Sequence, residues 1–229
     1  MVLKKKASRA RRQLIAYEQP KSSISEQYRN VRTNIEFASV DKKIRSLIVT
    51  SANSSEGKTT TAANIAIVFA QQGKKVLLID ADLRKPALHQ MLQVENVFGL
   101  TSVLTRSKTL ETCVENTNIR NLNFLPCGPI PPNPAELLGS NSMKDLLSGA
   151  YGMYDLVIFD TSPILPVTDA QVMANQCDAS VLVVRSGVTE KDTAIKAKQA
   201  LDGAKGILLG VILNDKEQTG SEYYYYSSN

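Results

Sequence analysis

One stretch of the sequence combines the residue types that hold phosphate groups. Residues 49–66 read VTSANSSEGKTTTAANIA. Gly57, Lys58 and Thr59 match the last three positions of the G-x4-G-K-[ST] pattern, and Ala52 stands where the pattern has its first glycine. In such a loop backbone N–H groups face the phosphates, the lysine neutralises the outer phosphates and the threonine hydroxyl binds Mg²⁺. The pattern therefore predicts nucleotide contacts from a continuous set of residues: Ser54, Ser55, Glu56, Gly57, Lys58, Thr59 and Thr60.

Three aspartates follow two of the apolar runs. LLIDADLRKP places Asp80 at the end of one run, with Asp82 and Arg84 just beyond it, and LVIFDTSP places Asp160 at the end of another. An aspartate after a strand is often a cap or turn residue. Three such acids together with a lysine loop instead favour a Mg-nucleotide site, with Asp160 in the place of the acid that holds Mg²⁺.

The apolar runs also predict the elements that position these residues. They are near-continuous rather than alternating, as in strands that are buried on both faces of a parallel sheet. Helical patterns over 58–73, which ends at Gly73, and over 190–204 lie between them, and another helix starts near Pro134. We predict an α/β, doubly wound, mostly parallel sheet of P-loop NTPase type with helices on both faces. Its strands are expected at 46–52, 75–81, 121–128, 155–160, 179–184 and 207–214.

A separate helix is predicted ahead of the first strand, over 23–39. Ser23 and Glu26 have the spacing of a capping box. An apolar stripe at helical spacing follows, and a flexible segment of low apolar content ends the chain. The predicted organisation is a basic tail (1–20), a nucleotide-binding domain (21–214) and a tyrosine-rich tail (215–229). The stripe consists of Ile24, Tyr28, Val31, Ile35 and Ala38.

Composition narrows the class of protein. The net charge is +5, but residues 1–12 carry six positive charges and no acid, so the remaining chain carries −1. Such a tail contacts an anionic surface or is simply solvated; we favour solvation and expect no nucleic-acid partner. The sequence shows no signal peptide and no run long enough for a membrane span. One histidine and three widely spaced cysteines argue against a zinc or redox site, and we expect a reduced, cytoplasmic protein.

Together these motifs resemble the bacterial tyrosine kinases (BY-kinases) of capsule and exopolysaccharide operons. The similarity covers roughly residues 20–229 and rests on TSANSSEGKT, LLIDADLR, LVIFD and a terminal YYYY. The second motif, LLIDADLR, distinguishes these kinases from ordinary P-loop ATPases, which do not combine it with a tyrosine tail. The resemblance implies an ATP- and Mg²⁺-dependent protein-tyrosine kinase that autophosphorylates its tail between subunits. The modified residues would be Tyr223, Tyr224, Tyr225 and Tyr226.

The resemblance also implies roles within the site. A tyrosine hydroxyl has a pKa near 10, so a carboxylate is needed to remove its proton. Asp80 is the candidate base, although Asp82 and Asp160 surround the same metal and the assignment among the three stays open. Lys58 stabilises the transferred group, and the expected metal ligands are Thr59, Asp82 and Asp160. Arg84 is a further candidate for the phosphate site. Asn214, at the end of the last strand, is expected to contact the adenine of the nucleotide or to form a turn.

Partners follow from the same resemblance. Gram-positive members are soluble chains activated by the cytoplasmic tail of a separate transmembrane adaptor, which places the kinase at the inner face of the plasma membrane. Glu26, Arg29 and Arg32 match an E-x2-R-x2-R motif implicated in assembling a ring of subunits. The alternative for these three residues is an exposed helical face with one ion pair. Protein tyrosine substrates and a cognate tyrosine phosphatase complete the expected partners.

The chain departs from the family pattern in two places. Ser54 and Ser55 stand where proline and glycine are common, and Ser162 replaces the first proline of DTPP. Because serine disfavours positive φ, we expect weakened but real nucleotide binding.

Two alternative functions remain at this stage. One is a P-loop ATPase switch like the plasmid-partitioning and septum-site ATPases. The other is a weakly active scaffold. The switch ATPases carry a lysine where this chain has Asn53, and they lack the tyrosine tail.

Overall fold

A computed structural model describes residues 14–38 and 43–217. Within these residues the strands are β1 (Ser46–Ser51), β2 (Val76–Ala81), β3 (Glu115–Asn116), β4 (Leu122–Leu125), β5 (Leu156–Thr161), β6 (Ala179–Arg185) and β7 (Ile207–Asn214). They form one sheet in the order β3-β4-β2-β5-β1-β6-β7, and every neighbouring pair is parallel except β3 with β4. The helices are α1 (Ile15–Glu18), α2 (Ser23–Phe37), α3 (Lys58–Gln71), α4 (Leu88–Leu92), α5 (Leu100–Leu104), α6 (Leu110–Cys113), α7 (Pro134–Leu138), α8 (Asn141–Met153), α9 (Asp169–Ala174) and α10 (Lys191–Asp202).

The predicted fold class is confirmed, with two differences in the strands. The run 121–128 forms only the four residues of β4, after which the chain turns away from the sheet. The antiparallel β3 was not predicted, because its two residues are exposed and polar and leave no hydrophobic pattern.

The central strands separate two hydrophobic layers. Every residue of β1, β2 and β5 is buried, which explains their continuous apolar sequences. Alternate side chains of β2 enter opposite layers, Leu77 on one face and Leu78 on the other. Helix α3 lies in the second layer, and eleven of its fourteen residues are buried. The helix that follows the phosphate loop is therefore held in place by the hydrophobic core.

Helix α3 ends at the glycine that the sequence singles out. Gly73 has φ +106°, its N–H donates to Ala70 O at 3.0 Å, and Lys74 N donates to Phe69 O at 3.3 Å. This pair of bonds is a Schellman motif, which requires a left-handed residue just past the helix. Gly73 therefore stops the helix, as predicted.

The predicted cap of α2 is wrong by one residue. Ser22, not Ser23, is the N-cap, and its hydroxyl accepts a bond from Ser25 N at 3.2 Å. Glu26 instead contacts Arg29 one turn further on. The sequence favoured Ser23, because only from Ser23 does a glutamate stand three residues further on, whereas the backbone geometry makes Ser22 the cap.

The apolar stripe of α2 is only partly buried. Ile35 is buried, and Tyr28 and Val31 pack against the same layer as α3. Ile24 is 44% exposed, and Ala38 is exposed as well, which is a correction to the predicted stripe. The helix therefore presents apolar surface at both ends.

The short helix α1 falls within the segment predicted as a basic tail, yet it packs on α3. Ala16 N donates to Asn64 Oδ1 at 2.9 Å, and Gln71 Nε2 donates to Ala16 O at 2.8 Å. Ala16 and Asn64 are fully buried. The basic residues of 1–12 lie outside the described part of the chain.

We expect Asn64→Ala to lower the free energy of unfolding by about 1–3 kcal/mol, because it leaves the buried N–H of Ala16 without an acceptor. Urea denaturation measures this change. Ser148→Ala on the exposed side of α8 is the matched control and should shift stability by less than about 0.5 kcal/mol. Equal stability of Asn64→Ala and the control would contradict the role given to this bond.

Candidate nucleotide-binding and phosphoryl-transfer site

The sheet register brings the predicted motifs together. Asp80 at the end of β2 pairs directly with Asp160 at the end of β5, and β5 lies between β2 and β1. The loop of residues 52–57 leaves β1 at the same edge. Because the carboxyl ends of parallel strands share one edge, all three motifs converge there, as expected for an open α/β sheet.

A cleft of about 870 Å³ opens above this edge. Glu56, Asp80 and Asp160 do not line it. Glu56 faces the protein, and the two aspartates lie beneath the cleft, fully or almost fully buried. The predicted residues that do line it are Ser54, Ser55, Gly57, Lys58, Thr59, Thr60, Asp82, Arg84 and Asn214.

Lys58 lies between two carboxylates at the base of the cleft. Its Nζ is 2.8 Å from Asp82 Oδ2 and 3.1 Å from Asp160 Oδ1, and it donates to Thr59 Oγ1 at 3.3 Å. Burial alone would lower the pKa of Lys58, but the negative charges of Asp160 and Asp82 raise it above its ordinary value. Lys58 is therefore an ammonium ion that compensates both acids.

Asp80 and Asp160 form a buried carboxylate pair. Asp80 Oδ2 accepts bonds from Ala87 N and Leu88 N, both at 3.0 Å. Burial, followed by the charge of Asp160, raises the pKa of Asp80 to about 7. Burial raises the pKa of Asp160 as well. Asp80 Oδ1 and Asp160 Oδ2 are buried without a hydrogen-bond partner among the described residues.

The donor set fits Mg²⁺ held together with a nucleotide. Mg²⁺ uses oxygen ligands and is commonly bound by one or two carboxylates, waters and substrate phosphates. Asp82, the Thr59 hydroxyl and the unpartnered oxygen of Asp160 supply such ligands. Within residues 14–38 and 43–217, no group of three or more His, Cys, Asp or Glu side chains forms a metal site by itself.

Hydrogen bonds to Asn214 and Thr189 hold the phosphate loop in place. Asn214 Nδ2 donates to Glu56 O at 3.0 Å, and a Cβ on Gly57 would lie only 2.0 Å from that nitrogen. The Glu56 carboxylate accepts from Asn53 N at 3.0 Å and from Thr189 Oγ1 at 2.6 Å. Glu56 therefore shapes the loop with its side chain, and only its backbone remains for a phosphate.

Serine occupies a left-handed position in the loop. Ser55 has φ +67°, whereas Ser54 is not among the described residues with positive φ. A non-glycine residue in this region carries a strain of about 1 kcal/mol or more. The structure thus confirms that the sequence departs from glycine at a position where glycine is the easier residue.

Arg84 is held by a residue that the sequence analysis did not single out. Its Nε and Nη2 donate to the two oxygens of Asp169 at 2.7 and 3.0 Å. Ser162 Oγ lies 3.1 Å from Asp169 Oδ2 and 3.3 Å from Asp82 Oδ1. Asp169 begins a six-residue helix after an irregular loop, so no spacing in the sequence points to it.

Other cleft residues were also missed. Ile15 from the α1 helix and Ile24 and Tyr28 from α2 form an apolar wall. Arg185, which pairs with Asp215 at 2.7 Å, lines the end near Asn214. The apolar stripe of α2 was the only signal for any of these residues, and it predicted packing rather than a cleft wall.

The proposed oligomerisation residues contact their own chain. Arg29 binds Glu26 and the carbonyl of Pro20, and Arg32 Nη1 donates to Val68 O at 3.1 Å. Their role in a ring stays a prediction. The tyrosines of 223–226 lie outside the described residues, and their phosphorylation also stays a prediction. No helix within the described ranges is long and apolar enough to cross a bilayer.

Comparison with known proteins first defines the class. A family model described as an AAA domain matches residues 45–191, which include the phosphate loop and both aspartate motifs. The septum site-determining protein MinD from Pyrococcus horikoshii OT3, solved with Mg-ADP, superimposes with a TM-score of 0.64 and 26% identity over 77% of this chain and 72% of that one. The fold and site are those of a P-loop nucleotide-binding protein.

Closer relatives define the family. The tyrosine-protein kinase YwqD of Bacillus subtilis (strain 168) is 57% identical over 98% of this chain and 95% of its own length. The kinase domain of Escherichia coli tyrosine kinase ETK matches with a TM-score of 0.86 and 35% identity, over 94% of this chain and 85% of that one. The chain belongs to the bacterial tyrosine-protein kinases.

We expect Ser55→Gly to bind Mg-ADP about fivefold more tightly than the parent chain, because about 1 kcal/mol of strain at Ser55 lowers the fraction of the free parent chain whose loop has the phosphate-holding conformation. Titration calorimetry measures the affinity. Ser54→Gly is the matched control and should leave it unchanged, since Ser54 has no positive φ. Similar tightening in both variants would show that backbone strain at Ser55 is not the cause.

Proposed function

We propose that the chain is an ATP-dependent protein-tyrosine kinase that phosphorylates its own C-terminal tyrosines between subunits and regulates capsule or exopolysaccharide biosynthesis. The observation that carries this proposal is Lys58, an ammonium ion held between Asp82 and Asp160 at the base of a cleft. This arrangement suits phosphoryl transfer, where catalysis rests on positioning and charge stabilisation.

The cleft accounts for each part of a Mg-nucleotide. The loop N–H groups at the start of α3 would receive the phosphates, and Asn214, which lines the cleft and binds Glu56 O through its Nδ2, would offer its Oδ1 to the adenine. Thr59, Asp82 and Asp160 would hold Mg²⁺, which neutralises charge on the phosphates. Lys58, now paired with two carboxylates, would face the outer phosphate in that complex, so that its positive charge would stay within the site.

In the proposed reaction, the terminal phosphorus–oxygen bond of ATP breaks as the tyrosine oxygen bonds to phosphorus, and the phenolic proton passes to a carboxylate. Asp80, with a pKa of about 7 and one unpartnered oxygen, has the proton affinity of a base at neutral pH. It lies beneath the cleft, whereas Asp82 lines it. Asp80 remains the candidate base, and Asp82 the alternative.

The position of Asp215 supports the choice of substrate. Asp215 lines the cleft, and Tyr223 follows it by eight residues, a reach of up to about 28 Å in extended chain. A segment of this length can enter the cleft of an adjacent subunit. A phosphate acceptor is thus attached beside the site that would use it.

The remaining partners are part of the same proposal. A ring assembled through Glu26, Arg29 and Arg32 would bring tails and clefts together. The cytoplasmic tail of a transmembrane adaptor would dock beside the nucleotide and hold the kinase at the inner face of the plasma membrane. Protein tyrosine substrates and a tyrosine phosphatase would complete the cycle, with no role for nucleic acid.

The test is phosphotyrosine formation in the presence of Mg-ATP, with and without the cytoplasmic tail of a cognate adaptor. We expect signal from the parent chain and none from Lys58→Met, which keeps the bulk of the lysine but removes its charge. Deleting residues 223–226 should also abolish the signal, because it removes the acceptors. Immunoblotting of purified chains measures all three.

A mixing experiment separates transfer between subunits from transfer within one. Lys58→Met retains its tyrosines, so the tail-deleted active chain should phosphorylate it when the two are combined. A parent chain that signals while the mixture stays silent would contradict transfer in trans. Release of inorganic phosphate without phosphotyrosine would instead support an ATPase switch, and ring formation without any turnover would support a scaffold.

A further inference from the structure

A buried carboxylate outside the two aspartate motifs binds an arginine that lines the cleft. Asp169 is fully buried, yet both of its oxygens bind Arg84, whose side chain is 42% exposed and lines the cleft. A buried carboxylate is unfavourable unless it is paired and hydrogen-bonded. Among the side chains of the described residues, Arg84 and Ser162 meet these conditions for Asp169.

The pairing fixes the direction of Arg84. Its Nε–H and one Nη2–H engage Asp169 in a two-point contact, which restricts the plane of the guanidinium. Arginine has five N–H donors, so three remain free for another acceptor. Since Arg84 lines the same cleft as Lys58 and Thr59, these donors are available to a phosphate oxygen there.

Ser162 links this pair to the metal-site candidate. Its hydroxyl is buried and lies within hydrogen-bond distance of Asp169 and Asp82, but it has only one proton to donate. The two carboxylates therefore compete for it. The proton can go to either acid, and in a bond to Asp169 Oδ2, the oxygen that also accepts from Arg84 Nε, it satisfies a further lone pair of the buried carboxylate. A proline at position 162 would lack this hydroxyl.

We infer that Asp169 is a positioning residue for phosphoryl transfer, which aims Arg84 at the transferred phosphate while Ser162 connects it to Asp82. The inference rests on the proposed kinase function. Asp169 touches neither nucleotide nor tyrosine in this scheme and acts through Arg84 alone.

The kinetic test compares Asp169→Asn, Arg84→Lys and the double variant. Asp169→Asn should lower kcat by about 10- to 100-fold through misorientation of Arg84, with less than about threefold change in the KM for ATP. The double variant should be no slower than Arg84→Lys, because both changes disrupt the same Arg84–Asp169 contact. Asp145→Asn, which breaks the exposed Arg106–Asp145 pair, is the matched control and should retain parent rates.

A spectroscopic test is independent of kinase activity. The Arg84 Nε–H faces a fully buried carboxylate, so its ¹H–¹⁵N signal should persist at neutral pH, and Arg84→Lys assigns it. Asp169→Asn should shift this signal or remove it by exchange, while the folded-state melting profile confirms an intact chain. Ser162→Ala should shift it without removing it.

Three results would overturn the inference: an unchanged Arg84 signal in Asp169→Asn, parent rates in an active Asp169→Asn chain, or losses that multiply in the double variant. A parent chain that makes no phosphotyrosine would instead contradict the proposed function. In that case the Arg84 signal still decides whether Asp169 and Ser162 orient the guanidinium.

Discussion

The site depends on one positive charge placed among buried acids. Asp82 and Asp160 lie close enough to repel each other, and the ammonium of Lys58 between them makes their burial possible. Asp80 pairs with Asp160 on the neighbouring strand, and burial, followed by the charge of Asp160, raises its pKa to about 7. In the proposed nucleotide complex, Asp82 and Asp160 would hold Mg²⁺ and Lys58 would face the outer phosphate, so that positive charge would stay beside both acids.

A second constraint comes from the edge of the sheet. β7 ends at Asn214, whose amide holds the carbonyl of Glu56 and leaves no room for a side chain at Gly57. The phosphate loop is therefore shaped from both ends, by the strand before it and by the strand that precedes the C-terminal segment.

The third feature is two arginine–aspartate ion pairs at the cleft, which differ in the burial of the aspartate. Arg84 binds a fully buried acid and shares it with Ser162, whereas Arg185 binds Asp215, which is largely exposed. An exposed pair contributes little and is screened by salt, but a two-point contact with a buried acid holds its partner in one orientation. The wall near Asp82 is accordingly the more rigid of the two.

The sequence by itself determined the sheet, the phosphate loop and the acids at the strand ends, because continuous apolar runs and the Gly57–Lys58–Thr59 order are local patterns. It pointed to Ser23 as the cap of α2 through the spacing to Glu26, whereas the folded backbone uses Ser22, whose hydroxyl accepts from Ser25 N. Only the tertiary structure decided that Asp169 holds Arg84 across 85 residues of chain and that Asp80 lies beneath the cleft. Such contacts depend on strand order and on loop paths, and neither leaves a periodic signal in the chain.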